Sequence, residues 1–418
     1  MKNSNLIAAL AGVALAAHSA SASFTPGSVV VLRVGDGSVA FDSNYLAQPI
    51  YLDEYSTGGG ALASHAVPSS GAGAALLTSR NDDHDGHLNL SDNGQFLTFG
   101  AYRTTSGGSY AVSAASASVP RVLGMVDSNW SINTSTALTD AYNGATINAV
   151  ATDDGSRFWT AGNSGNTSAP TSGGLRYVSS LGATASVNVS QTQAVGGSLA
   201  PDAMRNARIN NGQLYINTAS QGSFTNRGVY KTSTALPAFA TNTPVPVTGV
   251  ITNREGQSTD ANGNADPDTK GKLHPKSDAV FVDLSSDGVY DVAYSTGGKD
   301  ELEKWSFSTG AWLRSDLLYL PSGEEINALG YYLDGAEINV FASTDGGLYR
   351  FDDSGAAAGI VSPTVAEPNF ENKRYLTSAY FIQADAGTQF RGFAVIVPEP
   401  TSVVFALIAL PSCVRRRR

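Results

Sequence analysis

The densest grouping of side chains able to bind a metal or exchange protons is Asn81-Asp82-Asp83-His84-Asp85-Gly86-His87. Imidazole and carboxylate are transition-metal ligands and also the usual general acids and bases. Asp83, His84, Asp85 and His87 therefore form a candidate metal or acid–base cluster. The competing reading is a solvated polar connection, because the run immediately precedes the first clear strand pattern. A second grouping, Asp260, Asn262, Asn264, Asp266 and Asp268, places a side-chain oxygen at every other position of a glycine-containing stretch. Flexible oxygen-rich loops wrap Ca²⁺, so this stretch is the candidate Ca²⁺ site. It departs from an EF-hand in having neither a glutamate at the twelfth position nor flanking helices, and a plain polar loop is again the alternative. No cofactor is required by either reading, and Ca²⁺ is the candidate ion.

The usual catalytic signatures are missing from the sequence: there is no Gly-x-Ser-x-Gly elbow, no His-Glu-x-x-His and no phosphate loop. Asp53 with Glu54, and Glu324 with Glu325, are adjacent pairs that a strand would point to opposite faces. Trp130 and Trp312 lie near turn signals and are candidates for stacking on sugars. Trp159, Tyr215, Tyr294 and Phe341 follow the strand period and are expected in the core. With 26 Lys and Arg against 36 Asp and Glu, the chain is acidic. Five of those basic residues sit at the two ends, at Lys2 and Arg415 to Arg418, so the body is more acidic still. Phosphate binding needs the opposite sign, which disfavours a nucleic-acid partner. The single cysteine, Cys413, lies near the C-terminus, so the body has no disulfides to rely on.

These residues are set in a repeat. Five Asx–Gly turns, each followed by alternating apolar and aromatic residues, carry Gly94, Gly155, Gly212, Gly288 and Gly335. Asn-Gly and Asp-Gly between alternating runs signal β-hairpins with type I′ turns. The turn glycines are from about 47 to about 76 residues apart, the period of propeller blades with variable loops. Ile147-Asn148-Ala149 and Ile326-Asn327-Ala328 recur before two of the turns. The expected fold is all-β, a single β-propeller of six or seven blades. Seven is preferred, counting a unit from Gln48 through Val67. Val29 to Gly37 reads as an outer strand without inner partners, so the N-terminal strand is expected to complete the last blade and close the ring. Leu90-Ser91-Asp92-Asn93-Gly94-Gln95-Phe96-Leu97-Thr98-Phe99 resembles the strand pair of WD40-like and TolB-like blades, which implies architecture and not activity.

The ends carry addresses. Lys2, the apolar run Leu6 to Ala17 and Ala20-Ser21-Ala22 form the pattern of a secretory signal peptide over 1–22. The propeller is expected over 23–396, with a polar insertion at about 253–275. Residues 397–418 combine Pro398-Glu399-Pro400, an apolar run and Arg415, Arg416, Arg417 and Arg418. This tail resembles the PEP-CTERM sorting signal. The resemblance implies an exosortase-type sorting enzyme as partner and delivery to the cell envelope, cell surface or extracellular matrix. The run Val403 to Leu410 would extend only about 12 Å as a helix, against roughly 30 Å of bilayer hydrocarbon, so contact with the membrane through the tail is transient. The expected role is binding, with extracellular polysaccharide or protein as partner. The alternative is an extracellular propeller enzyme of polysaccharide lyase or hydrolase type with its site on a ring face.

Overall fold

A computed structural model describes residues 24–38, 41, 46–78, 85–108, 111–163, 172–189, 204–218, 228–238, 247–251, 277–297, 300–308, 310–320, 323–335, 337–353, 364–366, 374–376 and 379–396. The described residues form six antiparallel blades arranged as a β-propeller, with one short 3₁₀ turn at Gly71–Gly73. Blade 2 runs outward from Asn89–Leu90 through Phe96–Tyr102 and Arg121–Asp127 to Ile132–Leu138. Blade 3 is built from Ile147–Ala151, Phe158–Gly162, Gly174–Val178 and Val187–Asn188. In blade 4 the order is Met204–Asn210, Gln213–Thr218, Gly228–Thr232 and Val247–Ile251. Blade 5 comprises Ala279–Val282, Val292–Thr296, Glu301–Ser308 and Ala311–Tyr319, and blade 6 comprises Ala328–Asp334, Glu337–Thr344, Gly347–Asp353 and Ile382–Gln383. A short hairpin, Thr364–Ala366 with Arg374–Leu376, adds to the outer edge of blade 5 through a parallel bridge between Tyr319 and Tyr375.

Blade 1 corrects two expectations. Its innermost strand is Gln389–Val395, followed outward by Ser28–Val34, Ile50–Ser56 and Ala61–Ala66. Seven blades therefore become six: the stretch from Gln48 to Val67 is the outer half of this blade and not a unit of its own. Nor does the N-terminal strand complete the last blade. It is the second strand of the first blade, and the C-terminal strand supplies the inner one, in register from Val29 against Val395 to Val34 against Gln389. The physical reason is that the repeat is marked by the turn between inner and second strands. In blade 1 those two strands come from opposite ends of the chain, so no such turn exists to be read.

Elsewhere the turn chemistry is as expected. Asn210 pairs with Gln213 across Asn211-Gly212, whose φ values of 48° and 71° are those of a type I′ turn. Apolar burial follows the junctions between blades. One cluster joins blades 1, 2 and 3 and includes Leu32, Leu97 and Ile147. Others join blades 3 and 4 through Trp159 and Ile216, blades 4 and 5 through Tyr215 and Phe281, and blades 5 and 6 through Tyr294 and Phe351. Blades 6 and 1 meet through Phe341 and Phe393. The four aromatics assigned to the core are buried. Each blade thus covers the apolar face of its neighbour, which is what makes the ring cooperative.

Candidate functional site

The innermost strands converge on a central channel, and their polar residues stitch each blade to others. Asn148 Nδ2 donates to Met204 O at 2.6 Å, taking blade 3 to blade 4. Asn206 Nδ2 donates to Asp278 Oδ1 at 2.7 Å, taking blade 4 to blade 5. Asp278 Oδ2 accepts from Leu329 N at 2.9 Å, reaching blade 6. Asn327 Nδ2 donates to Asp345 Oδ1 at 2.8 Å, and Arg391 Nη1 lies 3.7 Å from the same oxygen. Within the channel wall, Asn89 and Arg208 reach past a neighbouring blade. Asn89 Nδ2 of blade 2 donates to Ala207 O of blade 4 at 2.9 Å, and Arg208 Nη2 of blade 4 donates to Leu329 O of blade 6 at 3.1 Å. Arg208 also pairs with Asp278 at 2.8 Å, so the buried carboxylate is charge-compensated. Burial raises the Asp345 carboxyl above the usual range, opposed by Arg391 and by the Asn327 hydrogen bond.

His87 takes its place in this wall beside Asn148, whose backbone carbonyl accepts from the His87 backbone N–H at 3.2 Å. It is 2% exposed, and burial pulls its imidazole down to about 4, against the milder opposing pull of Asp278. It is therefore neutral at physiological pH, and its Nδ1 has no partner among the described residues. Asp85 is also buried. The solvated-loop reading thus fails for these two residues, while Asp83 and His84 lie outside the described residues. So do Asp260, Asn262, Asn264, Asp266 and Asp268, and the tail residues Pro398, Glu399, Pro400, Arg415, Arg416, Arg417 and Arg418. Among the described residues, no three His, Cys, Asp or Glu side chains are grouped as metal ligands. No helix among them is long and apolar enough to cross a membrane.

Toward the face where the inner strands end, the channel opens into a cavity of about 890 Å³. Its wall draws on five blades, with Leu90, Arg208, Asp283, Tyr290, Tyr331 and Ala394 among the contributors. Asp92, at the rim, accepts from Gly212 N at 2.8 Å and so ties the turn of blade 2 to that of blade 4. Tyr290 packs on Phe281 with ring centres 5.3 Å apart. Burial pushes its hydroxyl well above the usual phenol range, and Tyr215, Tyr331, Asp92 and Asp283 push the same way, so Tyr290 stays protonated. Tyr290 Oη, Asn210 Nδ2 and Arg208 Nε are closed off from solvent and have no acceptors among the described residues. Of the two tryptophans considered for sugar stacking, Trp312 is packed between Phe281 and Phe307. Trp130 is covered on one face by His65, with ring centres 3.8 Å apart.

Sequence reasoning missed the cavity and most of the stitching. The Asn-Ala pairs at 148–149 and 327–328 were the visible signal. They extend to Asn206-Ala207 and Asp278-Ala279, at unequal distances from their turn glycines.

No protein family and no characterised protein matches the sequence. Among solved structures, the chain is 12% identical to a proposed 6-phosphogluconolactonase from Bacteroides uniformis, covering 82% of this chain and 83% of that one with a TM-score of 0.42. It is 13% identical to PorZ, a bacterial surface component of the type-IX secretion system of Porphyromonas gingivalis, over 81% of this chain and 40% of that one, TM-score 0.40. For AztD of Citrobacter koseri the values are 9%, 88%, 97% and 0.37. The chain spans about two fifths of the PorZ length.

Proposed function

We propose that the chain is an exported propeller of the cell envelope or extracellular matrix that binds a polymeric partner through the cavity at the channel mouth. The observation that carries this reading is the composition of that cavity. It sets aromatic side chains at Phe281, Tyr290 and Tyr331 beside carboxylates at Asp92 and Asp283 and the guanidinium of Arg208. A polyhydroxylated ligand answers such a lining, since its ring faces stack on aromatics and its hydroxyls donate to carboxylates. Polysaccharide is therefore the favoured partner. Delivery rests on the signal peptide over 1–22 and on the PEP-CTERM-like tail over 397–418, which would be read by an exosortase-type enzyme. Ca²⁺ held by the loop from Asp260 to Asp268 belongs to the same proposal.

The test is a glycan-binding screen with and without Ca²⁺, using Tyr290→Ala and Tyr331→Ala as comparison proteins. Binding that is lost in both variants supports the mouth, and binding that survives in both moves the site elsewhere. Mass analysis of protein recovered from the cell surface tests delivery: an intact tail there would sink the sorting claim.

A further inference from the structure

Away from the channel, the junction of blades 5 and 6 brings Lys304, Asp353 and Tyr294 together behind apolar side chains. Lys304, on the third strand of blade 5, and Asp353, at the end of the third strand of blade 6, both have side-chain exposures of 0%. Lys304 Nζ lies 2.7 Å from Asp353 Oδ2 and 2.9 Å from Oδ1. Tyr294, the direct cross-strand neighbour of Lys304, donates its hydroxyl to Asp353 Oδ2. Asp316 is the cross-strand neighbour of Lys304 on the other side. The surrounding wall includes Val292, Leu302, Ile338 and Phe351.

We propose that this is a self-modification site, where Lys304 and Asp353 condense into an intramolecular isopeptide bond that ties blade 5 to blade 6. The condensation starts with transfer of a proton from Nζ to Oδ1 along the existing 2.9 Å contact. The freed amine lone pair then attacks Cγ. Charge that builds on Oδ2 is met by the Tyr294 O–H, a donor already in place. The Nζ–Cγ bond forms, the Cγ–Oδ1 bond breaks, and Oδ1 leaves as water with two of the three ammonium protons. The third proton stays on the amide nitrogen. Nothing is oxidised or reduced, and no co-reactant is needed. Tyr294 remains a hydroxyl throughout, because burial and the neighbouring Asp353 hold it well above the ordinary phenol range. Holding amine and carboxyl in contact supplies the proximity that the reaction lacks in solution, and the dry wall keeps water from reversing it.

Denaturing digestion of the full-length protein followed by tandem mass spectrometry tests this directly. The expected product is a branched peptide joining the segments that contain Lys304 and Asp353, lighter than their sum by one water. Lys304→Met should abolish it. Asp353→Asn should retain it, with ammonia leaving in place of water. Tyr294→Phe should slow its formation by about a hundredfold, the effect of removing one preorganised donor. Quantitative recovery of the two segments as separate linear peptides from cooperatively folded protein would overturn the proposal. A branch formed at a different lysine would overturn it equally.

Discussion

The junction of blades 1 and 2 and the junction of blades 5 and 6 solve one packing problem by opposite means. At the first, side chains are deleted: a Cβ on Gly392 would stand 2.5 Å from Gly86 O and 2.6 Å from Leu88 N, so the two backbones meet directly. At the second, charge is inserted, with Lys304 and Asp353 buried face to face. The contrast teaches where each junction is vulnerable. The backbone contact at blades 1 and 2 tolerates no added volume, and it places His87 where water cannot reach. The junction of blades 5 and 6 is vulnerable instead to the loss of one charged partner.

The largest expected effect breaks the charged junction. Lys304→Ala leaves the Asp353 carboxylate buried without its counter-cation and should cost about 3–5 kcal/mol in denaturant unfolding. Lys304→Met combined with Asp353→Leu should recover most of that, and the part not recovered measures the covalent tie. Next is the pH response of the other junction. The unfolded chain protonates His87 as pH falls through about 6.5, whereas the folded protein does not until about 4. Stability should therefore decline across that window by about 3 kcal/mol in total and level off below it. His87→Asn, which imitates Asn148 in the next blade, should remove this component from the unfolding midpoint measured against pH.

Smaller effects separate two uses of glycine. Gly392→Ala should cost about 1–3 kcal/mol through overpacking against backbone. Gly212→Ala meets open space but must hold a φ of 71°, so about 1 kcal/mol is expected from conformation alone. Thermal unfolding of the two variants, side by side, ranks them. A reversed order would mean that the closing strand can shift to accommodate a methyl group.

Much of the ring was legible because local chemistry marks it. Asn211-Gly212 demands a tight hairpin, and the aromatics that follow such turns had to be buried. Blade 1 was not legible, since its inner and second strands are joined by hydrogen bonds and not by a turn. The channel wall was half legible. Asn148 and Asn327 announce themselves through a shared Ile-Asn-Ala, while Asp278 sits before a longer turn and Asn206 before a shorter one. His87 was obscured by its neighbours, because a run of Asp, His and Gly looks wet, and only the approach of Gly392 from the far end of the chain makes it dry. The cavity could not be read at all, as its wall is assembled from five separate blades.

The pairing of Ser28–Val34 with Gln389–Val395 also sets a schedule. Contacts between residues so far apart in sequence are the slowest to form, because the whole intervening loop must be gathered first. Until the last strand is made, the earliest one presents an unpaired edge of Val29-Val30-Val31-Leu32, the kind of surface that recruits foreign strands. The ring is therefore a clasp fastened last. A chain stopped short of Gln389 would be an open arc with a sticky end, and the nascent protein depends on being kept from its own kind until its final strand arrives.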